Sequence, residues 1–178
     1  MTDSTYPPVV VVDEHDREIG TAMLADVWKR GLYHRIVSVF VLDHHGRMLL
    51  QLRGPNVKIY PNCWDQAAGG HVDAGFTYDQ TAAAELAEEL GIQDVSLKQL
   101  GTFRTNNMLA DGRIINQFER VYVATVPPDS NLRLQTDELA RVQWFVPANL
   151  KAHISQQPQT FTPGLLHALH AYFPEYVL

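Results

Sequence analysis

The chain has 178 residues, 46% of them hydrophobic and 19% charged, an ordinary soluble composition that suits one domain with a sizeable core. Its formal net charge of -6, with no run of basic residues longer than Lys29–Arg30, argues against a general nucleic-acid or membrane-surface binder. Cys63 is the only cysteine, which excludes an intrachain disulfide and a thiolate metal cluster.

The N-terminal "MTDSTYPPVVVVD" has an acid where a secretory leader needs positive charge, and no stretch reaches the ~20 apolar residues of a membrane span. The expected location is cytoplasmic. "VVVVD" predicts a short buried strand, and "DEHDREIG" a turn into a second extended piece. "TAMLADVWKRG" predicts a helix with the apolar stripe Met23, Leu24, Val27 and Trp28, ended by Gly31. This segment, about 9–31, is expected as an extension of the core. "HRIVSVFVLD", "HHG" and "RMLLQLR" read as strand, turn, strand; "GPNVKIYPNCW" is a loop, and "DQAAGGHV" a short strand ending at the glycine pair.

The helix over 77–90 is the clearest element: alanines fill its middle, Thr77 or Asp79 can cap it, and Gly91 ends it. "LKQLGTFRT" and "RIINQFERVYVATV" predict strands around an "NNMLADG" turn, and "RVQWFVP" a further strand. "PANLKAH" and "TPGLLHALHAYF" predict short helices that begin at Pro147 and Pro163. Strands and helices do not alternate regularly, so a mixed sheet flanked by helices is expected.

Chemistry concentrates in the 77–90 helix. With Glu85 as reference, Glu88 falls at about -60° and Glu89 at about +40°, while Leu86 and Leu90 fall near 100° and 140°. The three carboxylates share one face beside a separate apolar one. Between positions 59 and 97 there are seven acids and no Lys or Arg, so a compensating cation must come from elsewhere in the fold or from solution. A solvated acidic face would tolerate this, since like charges at these spacings repel by only a few tenths of a kcal/mol, roughly. The upstream Gly69–Gly70 pair points further, because glycines let a carbonyl approach an ion and hard Mg²⁺ or Mn²⁺ prefers oxygen ligands. Such an ion ordinarily shares its coordination with water and substrate phosphate.

The stretch "GGHVDAGFTYDQTAAAELAEELGI" resembles the Nudix box, G-x5-E-x7-R-E-U-x-E-E-x-G-U, with Gly70, Glu85, Leu86, Glu88, Glu89, Gly91 and Ile92 in register. With "VVDEHDREIG", "YHRIVSVFVLD", "WDQAAGGHV" and "DELARVQWFVPANL" the resemblance extends over nearly the whole chain, and it is to the Nudix subgroup similar to isopentenyl-diphosphate isomerase. It implies an α/β/α sandwich with a mixed β-sheet, and Mg²⁺- or Mn²⁺-dependent hydrolysis of a nucleoside diphosphate derivative or related organic diphosphate. It also implies a small-molecule partner and a possible homodimer. The metal ligands expected are Gly69 (through its carbonyl), Glu85, Glu88 and Glu89, with Glu85 and Glu89 catalytic, and Glu119 is the downstream acid expected from its strand to complete them. Arg53, Lys58, His71 and Arg104 are the implied substrate contacts, and Arg120 lies on a strand that could face the same cleft.

Two box positions depart: Phe76 stands for the first glutamate and Ala84 for the arginine. Losing both together avoids a stranded charge, and Phe76 is expected to pack under its loop. Lost support of this kind can cost roughly 10–100-fold in metal affinity or activity, so a non-catalytic diphosphate-binding or regulatory module is the alternative reading. Isomerase activity is disfavoured. Gly69 stands where the isomerases carry their catalytic Cys, and "IINQF" where they carry a Glu-x-Glu pair, although His34 and His71 match their metal-binding histidines. Cys63 is expected as a small core residue, as are Trp64 and Phe103; His44, His45, His167 and His170 are expected at the surface.

Overall fold

The spine of the molecule is β3, Tyr33–Asp43, in a computed structural model that describes residues 7–134 and 139–178. Asp3 of the N-terminal segment and the Asp137–Glu138 pair of "DELARVQWFVPANL" lie outside the described residues. One edge of β3 runs parallel to β8 (Ile114–Val126) along its whole length, from Tyr33 opposite Asn116 to Asp43 opposite Val126. The other edge is shared in succession by three antiparallel strands: β1 (Val9–Val12), β6 (Ala68–His71) and β4 (Met48–Arg53). Outside these, β2 (Glu18–Ala22) pairs with β1, β7 (Lys98–Met108) with β8, and both β5 (Trp64–Asp65) and β9 (Leu139–Phe145) with β4. The sheet is mixed, as expected.

Alternation along β3 and β8 sorts side chains to two faces. Val37, Val39 and Val41 of β3, with Tyr122 and Ala124 of β8, pack under helix α2 (Tyr78–Leu90) through Tyr78, Ala82, Leu86 and Leu90. Phe40 and Val121, with Leu50 of β4, point the other way, against Leu150 of helix α3 (Pro147–Gln156) and Leu165 and Leu169 of helix α4 (Pro163–Tyr172). A helix on each face makes the α/β/α sandwich. Each fully buried leucine here stabilises by about 1.5–3 kcal/mol relative to exposure. The first helix, α1 (Leu24–Arg30), buries Val27 against Val9 and Val11. The N-terminal strand is more than an extension, because Val10 and Val12 belong to the central core.

Three local readings are corrected. The glycine pair lies inside β6 rather than at the end of a longer strand, because Ser38 and Val37 pair with Gly69 and Gly70, while Trp64–Asp65 pairs separately with β4. β7 runs on to Met108, so the turn of the hairpin is shorter than "NNMLADG" and closes from Leu109 to Gly112. Cys63 is half-buried in a loop, its thiol 3.9 Å from the Gln159 carbonyl oxygen, and is not in the core. Trp64 is buried and Phe103 packs against the same cluster, while His44, His45, His167 and His170 are exposed. Among the described residues no helix is long and apolar enough to cross a membrane.

Candidate active site

Helix α2 begins with a reciprocal cap: Thr77 Oγ1 accepts from the Gln80 amide, and Gln80 Oε1 accepts from the Thr77 amide at 2.9 Å. It ends at Gly91, whose φ of 68° is the left-handed conformation that favours glycine. This rod carries Glu85 and Glu89 to the glycine pair of β6. The Gly69 amide donates to Glu89 Oε1 at 3.3 Å. A β-carbon on Gly70 would fall 1.9 Å from Glu85 Oε1, so the missing side chain is the space the carboxylate occupies. Glu88 is exposed on the outer flank; burial, and then the charge of Glu88, raise the pKa of the Asp73 carboxyl. Among the described residues no three His, Cys, Asp or Glu side chains are gathered as a ready-made metal site, the helical carboxylates with or without Glu119 included.

The other side of the glycine pair opens into a cavity of about 180 Å³. Its polar lining includes Ser38 of β3, Asp65 of β5, Gln117 and Glu119 of β8, and Thr162 before α4. Its walls include Trp28, Ile36, Ile59, Tyr60 and Ile115. A smaller cavity of about 30 Å³, lined in part by Gln51, Arg53 and Glu89, shares Gly69 and Arg53 with the first. The backbone of Gly69 is thus a thin wall between the carboxylate helix and the larger cavity, and Arg53 brings a cation to the rim of both cavities, where its ion pair is with Asp65.

Arg53 Nη1 donates to Asp65 Oδ2 at 3.1 Å and Nε to the Ile59 carbonyl at 3.1 Å. Asp65 also accepts from the Thr162 hydroxyl at 2.6 Å. Burial pushes the Asp65 carboxyl above its usual range, opposed by the Arg53 charge and these bonds. Ser38 donates its hydroxyl to Glu119 Oε1 at 2.5 Å. Burial pushes Glu119 up to about 7; the Ser38 bond opposes this and the Asp65 charge reinforces it. His71 lines the cavity with its ring 5.3 Å from that of His34 and 6.0 Å from that of Trp28. Burial, then the His34 and Arg53 charges, lower the His71 pKa to about 3. Burial lowers that of His34 to about 4 against a bond to the Leu32 carbonyl, and His34 Nε2 has no hydrogen-bond partner among the described residues.

Of the expected site residues, Arg53, Gly69, His71 and Glu119 therefore line one cavity, with Glu85 and Glu89 at its glycine wall. Lys58 is exposed in the loop after β4 and outside the cavity lining; its carbonyl accepts from Arg113 at 3.0 Å. Arg104 and Arg120 are corrected. β7 turns Thr105 and Asn107 to the cavity and Arg104 to the opposite face, where its guanidinium lies 5.7 Å from the Tyr33 ring. On β8, Glu119 takes the cavity face and Arg120 faces the start of α2, 3.8 Å over the Tyr78 ring. Phe76 is 50% exposed and does not pack under its loop. Sequence reasoning missed Ser38 and the structural role of Asp65. The signal for Ser38 was one hydroxyl inside the apolar run "IVSVFV"; for Asp65 it was an acid next to a buried Trp.

The chain is similar to known proteins over most of its length. The NUDIX domain family model matches residues 32–165. An isopentenyl-diphosphate Delta-isomerase of Nocardia farcinica is 33% identical over 164 residues, covering 91% of this chain and 92% of the relative. An uncharacterized Nudix hydrolase of Pseudomonas aeruginosa is 33% identical over 163 residues, covering 90% of each. The crystal structure of DR0079 from Deinococcus radiodurans superposes with a TM-score of 0.76 at 23% identity, covering 93% of this chain and 99% of that one, a likeness of fold.

Proposed function

The chain belongs to the NUDIX family, and on that premise we propose that it is a divalent-metal-dependent hydrolase that cleaves the pyrophosphate linkage of a nucleoside diphosphate derivative or related organic diphosphate. The observation that carries this reading is the glycine wall, with Glu85 and Glu89 against Gly70 and Gly69 and a cavity of about 180 Å³ beyond. The donor set of carboxylates and a carbonyl fits a hard cation, and the Gly70 cradle leaves room for the Glu85 carboxylate that would hold it. Glu85, Glu89 and the Gly69 carbonyl would be its protein ligands, with Glu88 joining from the flank. A bound Mg²⁺ or Mn²⁺ would screen phosphate charge and polarise the scissile linkage.

The remaining work falls to the chain itself. Arg53, fixed by Asp65 and the Ile59 carbonyl, presents a cation where both cavities meet and orients a phosphate by charge-assisted hydrogen bonds. Glu119, held near neutrality by burial, accepts or releases a proton inside the cavity. Trp28, Tyr60 and the isoleucines enclose the organic half of the substrate and exclude water from it. The test is release of phosphate or nucleoside monophosphate from a panel of nucleotide and organic diphosphates, with and without Mg²⁺. Metal-dependent cleavage of at least one is expected; binding without cleavage across the panel would replace this reading with the next.

The second reading, a diphosphate-binding or regulatory module, is favoured by exposed Phe76 and by Ala84 beside Glu85, which leave the helix without an arginine at that turn. For isomerisation, the stretch "IINQF" brings Ile115 and Gln117 to the cavity and no acid of its own, and Gly69 offers no acid to protonate carbon.

A further inference from the structure

We propose that Asp16, in the turn between β1 and β2, is a positioning residue that sets helix α2 against strand β6, and so sets Glu85 and Glu89 against the glycine pair. The inference rests on the hydrolase reading above. Asp16 adopts a left-handed backbone, φ 61°, which turns its carboxylate inward. Arg35 Nε donates to Asp16 Oδ1 at 2.6 Å and Arg35 Nη2 to the Asp16 carbonyl at 2.6 Å. The Tyr78 hydroxyl lies 3.1 Å from both carboxylate oxygens, and Arg120 Nη2 lies 3.7 Å from Oδ2. Both guanidiniums sit over the Tyr78 ring, Arg120 at 3.8 Å and Arg35 at 5.1 Å from its centre. The Asp16 and Arg35 side chains are only 19% and 17% exposed, so this is a shielded cluster rather than a surface pair.

Its two ends are the two halves of the site. Tyr78 is the first residue of α2. Seven residues on, Glu85 lies about 20° around the helix and roughly 10 Å along it, so displacing Tyr78 displaces Glu85 on the same face. Arg35, at the other end, accepts the Val72 amide at 2.9 Å on its carbonyl, which ties the cluster to the residue after β6. Asp16 therefore bridges the helix that carries the carboxylates and the strand that carries the glycines. None of the residues 9–22 lines either cavity, so Asp16 acts only through Tyr78 and Arg35.

The test compares Mn²⁺ binding, read by electron paramagnetic resonance, in wild type, Asp16→Asn, Tyr78→Phe and the double variant, alongside the melting temperature without metal. Tyr78→Phe keeps the ring between the arginines and removes only the hydroxyl, so it carries the test should Asp16→Asn fail to fold. Each single variant is expected to weaken Mn²⁺ binding about tenfold, as loss of an outer hydrogen bond to a ligand-bearing element does. The double variant should be no weaker than the worse single one, because Asp16→Asn weakens and Tyr78→Phe removes the same hydroxyl–carboxylate contact. Wild-type Mn²⁺ affinity in both variants, with a lowered melting temperature, would reduce the cluster to a hairpin anchor and overturn the inference alone. Wild type that binds no Mn²⁺ would overturn the hydrolase reading and this inference with it.

Discussion

The Glu85 carboxylate occupies the place a side chain would take at Gly70: a β-carbon there would lie 1.9 Å from Oε1. The neighbouring glycine is crowded differently, since a β-carbon on Gly69 would meet the Val37 carbonyl oxygen at 2.6 Å. A carboxylate tip can swing aside and a strand backbone cannot. Gly70→Ala should therefore fold with little loss and displace Glu85, lowering metal affinity by roughly 10–100-fold. Gly69→Ala should instead destabilise the fold by about 1–3 kcal/mol, as overpacking does. Urea denaturation and Mn²⁺ titration of the two variants separate these outcomes; equal effects on both measurements would contradict the distinction.

Arg53 holds Asp65, and the phosphate contact proposed for it can be separated from that role. Its bond to Asp65, whose side chain is 9% exposed, compensates a buried carboxylate. Arg53→Ala strands that charge and should cost up to about 3–5 kcal/mol. Asp65→Asn keeps an acceptor for the Thr162 hydroxyl and removes the charge, so Arg53→Ala/Asp65→Asn should regain most of the stability. Diphosphate affinity should not return with it. A double variant that binds diphosphate like wild type would show that Arg53 is structural only.

Stability should depend on pH through Glu119 in one direction and through His34, with its stacked neighbour His71, in the other. Glu119 is raised from 4.5 to about 7, so the native state binds more protons than the unfolded one between those values. Its contribution is present below the unfolded pKa and is lost as pH rises through about 7. His34 is lowered from 6.5 to about 4; there the unfolded state binds more protons, and stability is lost as pH falls from 6.5 toward 4. Glu119→Gln should flatten the decline toward pH 7, and His34→Phe the decline toward pH 4. The measurement is the free energy of urea unfolding from pH 4 to 8; slopes unchanged by both substitutions would contradict both assignments.

What was legible in the sequence follows from what is local. Helix α2 announces itself by its period, its Thr77 cap and Gly91, all within fifteen residues of one another. The Glu85 and Glu89 face follows from that geometry alone. The two valine faces of β3 come from simple alternation. Strand β7 gave no such signal, because most of its residues are exposed and no apolar rhythm distinguishes its faces; Arg104 was therefore assigned to the wrong one. The burial of Asp65 depends on Arg53 and on Thr162, 97 residues away, and the Asp16–Tyr78 contact spans 62 residues. Neither leaves a trace in local pattern. The glycine pair was recognisable as a motif, yet its place inside a strand depends on pairing with β3.

The two departures from the family pattern give the last prediction. Phe76 is 50% exposed just before the helix, so Phe76→Glu sacrifices little packing and adds one more negative charge near an acidic face. Ala84 is half-buried immediately before Glu85, so Ala84→Arg alone places a long cation where it competes with a metal for the carboxylate. Position 76 lies just before the Thr77 cap and position 84 eight residues on, so an arginine reaching back toward the cap would pair with the new Glu, each removing the other's penalty. Hydrolysis and Mn²⁺ affinity should fall in each single variant and recover or exceed wild type in the double, with a coupling of about 0.5–3 kcal/mol. The gain should be smaller if Asp16 and Tyr78 already hold the start of the helix, so the same cycle repeated in the Tyr78→Phe background should return a larger coupling. Effects that simply multiply in both backgrounds would mean that positions 76 and 84 do not communicate, and that the helix is held from its N-terminal end alone.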